Sequence, residues 1–165
     1  MSIERALKHL LSPDWVVRRA FPAVLLREIE SAIAASERDH LGELRFVVEA
    51  GLGLPALIRG QTARQRAGEV FSDLGVWNTE ANSGVLIYVQ LVDRKVEILA
   101  DRGIDARVEQ EQWNGICRRM EQHFRKREFG RGALAGIEEI TALLRQHFPA
   151  TPGNINELPN RPVLL

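Results

Sequence analysis

Residues 84–101 read GVLIYVQLVDRKVEILAD, and this stretch decides the fold. Gly84 to Leu91 is apolar at odd and even positions alike, the mark of a central strand covered on both faces. Val92-Asp93-Arg94-Lys95 supplies a turn. Beyond it Val96, Ile98 and Ala100 alternate with Glu97, Leu99 and Asp101, so the chain returns as an antiparallel hairpin partner. Asp101 therefore arrives at the end of the sheet where Gly84 begins.

Upstream, Thr62 and Gln65 have capping-box spacing, and Ala63, Ala67, Val70, Phe71 and Leu74 form the buried stripe of a helix closing near Gly75. Before it, ELRFVVEA (residues 43–50) sets Leu44, Phe46 and Val48 against Arg45, Val47 and Glu49, the period of a partly exposed strand. Gly51 to Gly60 reads as a loop with room for one helical turn. Strand, helix and strand make a crossover unit whose right-handed form has parallel strands, placing Glu49 and the Asp93-Arg94 turn on the far rim. From Pro22 to about Asp39, Leu25, Leu26, Ile29, Ala32 and Ile33 stripe an amphipathic helix. Ile3, Ala6, Leu7, Leu10 and Leu11 predict an earlier helix, with Ser12-Pro13 and Phe21-Pro22 as punctuation.

Downstream, Val108–Arg127 carries Trp113, Ile116, Cys117, Met120 and Phe124 on one stripe, and Gly130–His147 carries Leu134, Ile137, Ile140 and Leu144, which predicts a helical hairpin. From Pro149 onward the chain holds four of its seven prolines and no periodicity, so that stretch is extended, docked or disordered. The expected organisation is a helical extension over residues 1–21, an α/β domain over 22–149 and an extended tail over 150–165. The fold class is α/β: a small mixed sheet, one βαβ unit plus an antiparallel hairpin strand, sandwiched by helices.

A chain of 165 residues, 45% hydrophobic and 27% charged, suits one domain with a substantial core. Its 22 basic and 22 acidic residues cancel, leaving no global field to attract nucleic acid, and no nucleic-acid partner is expected. No apolar run approaches the length of a transmembrane segment and no leader pattern opens the chain, so the expectation is a cytoplasmic protein touching membranes only peripherally. A lone cysteine, Cys117, excludes an internal disulfide, and its apolar stripe raises the thiol pKa and argues against a nucleophile. His9, His40, His123 and His147 lack metal-site spacing and read as surface residues. Nucleophile-elbow, P-loop and dinucleotide fingerprints are missing.

Chemistry is left to the loops flanking the hairpin. Asn78–Ser83 and Asp101–Asp105 become neighbours and bring Thr79, Glu80, Asn82, Ser83, Asp101, Arg102 and Asp105 to one rim. Such hard oxygen ligands with one guanidinium suit Ca²⁺ or Mg²⁺ and a phosphate; ordinary turn and cap chemistry gives the same composition.

Three stretches in order, FSDLGVWNTEANSGVLIYVQL (71–91), DRKVEILADRGID (93–105) and FRKREFGRGALAGI (124–137), resemble the TPM domain family. That family includes a thylakoid-lumen acid phosphatase, a photosystem II repair protein and a modulator of acetylcholine receptors. The resemblance implies helices on both faces of a compact sheet, divalent-ion binding and phosphate-ester hydrolysis. Carried onto this chain, it implies that Asn82, Asp101 and Asp105 hold the ion, Arg102 steadies the phosphoryl oxygens and Glu80 is the base. Asn82-Ser83 stands where the family has Asp-Asn, and Arg18-Arg19-Ala20-Phe21 replaces an acidic segment. Two functions therefore stand side by side: a metal-assisted, weak acid phosphatase acting on phosphate monoesters, and a non-catalytic, Ca²⁺-binding module that regulates a membrane-associated or stress-response partner protein.

Overall fold

The computed structural model describes residue 9, residues 14–153 and residues 155–165; the helix expected over residues 2–11 and the Ser12-Pro13 cap fall largely outside them. Eleven elements are described: α1 (Asp14–Ala20), α2 (Ala23–Ser36), β1 (Glu43–Glu49), α3 (Leu54–Ile58), α4 (Ala63–Asp73), β2 (Gly84–Gln90), β3 (Lys95–Ala100), α5 (Arg102–Asp105), α6 (Gln110–Arg125), α7 (Phe129–His147) and β4 (Val163–Leu164). The sheet order is β3-β2-β1-β4. β1 and β2 run parallel with Glu43 opposite Gly84 and Glu49 opposite Gln90, and β3 returns antiparallel with Val85 opposite Ala100.

Period-two alternation sorts the two layers. Leu44, Phe46 and Val48 point with Val85, Ile87 and Val89 toward α2, α6 and α7. Val47, Leu86 and Tyr88 face Ala63, Ala67 and Val70 of the crossover helix α4. Each fully buried aliphatic or aromatic side chain contributes roughly 1.5–3 kcal/mol. Phe21, at the kink between α1 and α2, is fully buried and its ring lies 5.9 Å from that of Phe46 and 6.1 Å from that of Phe124, pinning the first helices to the core. The capping box is present, with Gln65 N–H donating to Thr62 Oγ1 and Thr62 N–H to Gln65 Oε1. Gly75, with φ of +63°, closes that helix in the left-handed region that favours glycine.

Three expectations need correction. β1 is not partly exposed: all seven of its residues are buried, because α4 and the segment after Pro149 cover the face that carries Arg45 and Glu49. Asp101–Asp105 is not simply a loop, since Arg102–Asp105 winds into a helical turn capped by Asp101. Nor are all the histidines at the surface. His40 is fully buried, its Nδ1 accepting Gly42 N–H, and burial lowers its pKa to about 4. His9 is also buried; its Nδ1 accepts Leu52 N–H at 2.9 Å and its Nε2 lies 3.2 Å from Asp93.

The segment after Pro149 docks. β4 adds to the free edge of β1, pairing Val47 with Val163 and Val48 with Leu164, and Leu158 is buried against the α4 layer. Charges on β1 hold it: Glu43 Oε2 accepts the N–H groups of Glu157 and Leu158 at 3.2 and 3.1 Å, and Arg45 Nη1 donates to the carbonyl of Pro159. Beneath the same segment, Glu37 at the end of α2 accepts Leu44 N–H at 3.0 Å, and burial raises its carboxyl pKa to about 7.

A raised carboxyl pKa fixes the sign of a pH effect. The folded chain keeps a proton that the unfolded chain loses, so Glu37's contribution is full below about pH 4.5 and is lost as pH rises to about 7. Glu37→Gln, which keeps an acceptor for Leu44, should match wild type near pH 4.5 and exceed it by about 1–3 kcal/mol at pH 7.5. Urea unfolding at both pH values measures this, and equal pH slopes for the two proteins would contradict it.

Candidate functional site

The parallel register of β1 and β2 places the strands' amino ends and the end of β3 at one rim. Asp101 N–H donates to Gly84 O at 2.8 Å, so the loops over 78–83 and 101–105 lie side by side as the hairpin geometry demands. Thr79 Oγ1 accepts Ser83 N–H at 2.8 Å and closes the first loop on itself. Asn82 adopts φ of +51°, a conformation asparagine tolerates better than most residues.

The two loops then cross. Arg102 Nε donates to Asn82 Oδ1 at 2.8 Å, and Gly103 N–H donates to Asn82 O at 3.1 Å. A Cβ at Gly103 would stand 2.6 Å from Asn82 O and 2.7 Å from Ala81 O, so only glycine permits this approach. Asp101 caps α5: its Oδ1 accepts Arg102 N–H at 2.7 Å, while its Oδ2 is buried and makes no hydrogen bond.

Of the five residues expected at the site, Asn82 and Arg102 meet directly and Asp101 lies beside them. Asp105 is exposed on α5. Glu80 is exposed as well, and its backbone N–H is held by the Glu157 carboxylate at 3.0 and 3.2 Å. Trp77, on the same loop system, is 54% exposed. Among the described residues no three His, Cys, Asp or Glu side chains converge closely enough to hold a metal ion. The donor set fits an ion unevenly. Asp101 Oδ2 is buried and makes no hydrogen bond, but Asn82 Oδ1 is already engaged by a guanidinium, beside which a cation is repelled.

The opposite rim holds a polar cluster that the alternation of β1 concealed. Arg66 of α4 donates to the Glu49 carboxylate through Nε at 3.1 Å and Nη2 at 2.9 Å, and Tyr88 OH donates to Glu49 Oε2. Burial, then the Glu49 carboxylate, pushes the Tyr88 phenol well above its ordinary range. The sequence did hold a signal for it, because a strand paired beside the wholly apolar β2 shares its cover. Burial likewise raises the Cys117 thiol to about 12, which keeps it an inert apolar neighbour of Trp113 and Met120. Among the described residues, no helix is long and apolar enough to cross a membrane.

A family model for the TPM domain matches residues 20–143. The fold is similar to the NMR structure of BA42 protein from the psychrophilic bacterium Bizionia argentinensis, with 30% sequence identity and a TM-score of 0.77, over 88% of this chain and 95% of that one. It also shares a fold with the N-terminal domain of cg2496 protein from Corynebacterium glutamicum, at 11% identity and a TM-score of 0.55, over 74% of this chain and 72% of that one. No curated protein matches the chain. The three sequence stretches, the mixed sheet between helical layers and the family match over most of the length lead to one assignment: the chain belongs to the TPM domain family.

Proposed function

We propose that this chain is a non-catalytic, divalent-ion-binding module that engages a membrane-associated or stress-response protein partner through the rim formed by residues 77–83 and 101–105. The observation that carries the reading is Asp101 Oδ2, a buried carboxylate oxygen without a hydrogen bond at the crossing of two loops. A buried anionic oxygen without a partner is costly, and a hard cation is the ligand that relieves it. Asp101 and Asp105 are the side chains that would hold Ca²⁺ or Mg²⁺; Asn82 would join them only by releasing Arg102. The ion would supply charge neutralisation and fix the loops. The exposed Trp77 next to them is the kind of aromatic anchor that dominates protein interfaces.

A second reading, hydrolysis of phosphate monoesters, draws on Arg102 and Glu80. Both are exposed; a guanidinium can bind phosphoryl oxygens and a carboxylate can accept a proton.

Two measurements separate the readings. Thermal unfolding with increasing Ca²⁺ or Mg²⁺ should show stabilisation that grows with ion concentration, about 2.7 kcal/mol at a hundred times Kd, and Asp101→Asn should abolish it. Unchanged midpoints at millimolar ion would overturn ion binding. Hydrolysis of an aryl phosphate between acidic and neutral pH should be at background in both wild type and the Asp101→Asn/Asp105→Asn variant. Wild-type turnover lost in a folded double variant would instead establish the phosphatase.

A further inference from the structure

The end of α1 and the turn between α6 and α7 meet at one aromatic cluster. The Phe21 ring lies 5.6 Å from that of Phe129 and 6.1 Å from that of Phe124, and Leu25 packs so close to Gly130 that an added Cβ would stand 3.2 Å from its Cδ1. The chain on either side of this cluster is basic. Arg18 and Arg19 close α1, and Arg125, Lys126, Arg127 and Arg131 surround the turn. Glu128, the acid of the turn, is engaged by His123 at 2.7 Å and Arg131 at 3.8 Å, and Glu121 holds Arg125 at 3.3 Å. Arg18, Arg19, Lys126 and Arg127 are all exposed, and none of their side chains makes an ion pair or hydrogen bond among the described residues. Arg118 and Arg119, earlier on α6, are by contrast matched by Glu111 and Glu139.

Exposed apolar groups accompany these cations. Val17 and Phe21, four residues apart, take the buried face of α1, and Trp15, with Arg18 and Arg19 three and four positions on, shares the opposite face with them. Trp15 is 58% exposed, and Val24 on the first turn of α2 is 57% exposed. The charges of the whole chain cancel, so a corner this basic makes the molecule electrically lopsided, and an anionic surface orients it as well as attracting it. An indole between guanidinium groups is the composition of a segment that lies in the interface of a bilayer. The headgroup layer accepts the indole and the valine alike, whereas a nucleic acid would stack the indole and leave the valine in water.

We propose that this corner docks the protein directly on the surface of an anionic lipid bilayer, with Trp15 entering the headgroup layer and Arg18, Arg19, Lys126 and Arg127 facing the lipid phosphates and carboxylates. The cations act as point charges within a Debye length of the surface, so the docking needs no preformed pocket and weakens as salt rises. The corner is separate from the rim of residues 77–83 and 101–105. Helix α6 holds 16 residues, about 24 Å of length, and the corner lies at its far end from that rim, so the docking stands whether or not the rim binds an ion.

Co-sedimentation of the full chain with phosphatidylcholine vesicles, with and without phosphatidylserine, tests the docking at low and high salt, in EDTA so that no ion at the rim takes part. Binding is expected only to the phosphatidylserine vesicles and should fall at high salt. Arg18→Gln/Arg19→Gln and Lys126→Gln/Arg127→Asn should each weaken it by about fivefold per charge removed, with unchanged thermal unfolding; asparagine suits position 127, where φ is +63°. Arg38→Gln/Arg59→Gln removes the same charge from exposed positions outside the corner and should bind like wild type. Brominated lipid should quench tryptophan emission in wild type and not in Trp15→Phe, since Trp113 is buried and Trp77 sits on the distant rim. Equal binding to both vesicle types, corner variants that bind like wild type, or an equal loss in Arg38→Gln/Arg59→Gln would each overturn the proposal. So would retention of an RNA oligonucleotide by the corner without vesicle binding, which would assign these cations to nucleic acid.

Discussion

β1 is covered on both faces, yet three of its residues, Glu43, Arg45 and Glu49, carry charged side chains. An ionised group in such a place costs several kcal/mol unless the protein supplies partners. Much of the architecture answers that demand. Glu49 is met by Arg66 and Tyr88, which ties the crossover helix to the carboxyl end of the sheet. Glu43 and Arg45 are met by the main chain of residues 157–159, which draws the end of the protein across the free edge of β1. The fourth strand follows from this: two residues of pairing would not hold a segment by themselves, but they extend a segment already fastened by buried charge.

The same demand distributes the chemistry. At the carboxyl rim Glu49, Arg66 and Tyr88 satisfy one another, while the buried Gln90 Oε1 beside them makes no hydrogen bond. At the amino rim, where β2 begins and β3 ends, two loops cross through a guanidinium-amide bond and a glycine contact, and one carboxylate oxygen of Asp101 is left over.

The parts legible in the sequence were those with local, periodic signals. The apolar run of β2, the alternation of β3, the Thr62-Gln65 capping box and the stripes of α6 and α7 each declare themselves within about a dozen residues. The neighbourhood of Asn82 and Arg102 was legible too, because an antiparallel hairpin fixes where its ends return. The burial of β1 was signalled only by its place beside the wholly apolar β2, since its charges alternate like those of a wet strand and their partners at Glu157–Pro159 lie 114 or more positions away. The docked β4 escaped for a related reason: two residues have no period, and the four prolines ahead of them leave the stretch open between extended, docked and disordered. Asp101 looked like a ligand from composition, whereas its role in holding α5 depends on a cap that only the backbone geometry reveals.

The central claim, that buried charges on β1 make residues 157–165 an integral part of the domain, is tested most directly by a chain ending at residue 156. Urea unfolding and amide hydrogen exchange should be compared with the full chain. Loss of about 3 kcal/mol or more, with exchange protection of the Leu44–Val48 amides falling by a matching factor, is the result the account predicts. An unchanged unfolding midpoint with β1 protection intact would contradict it.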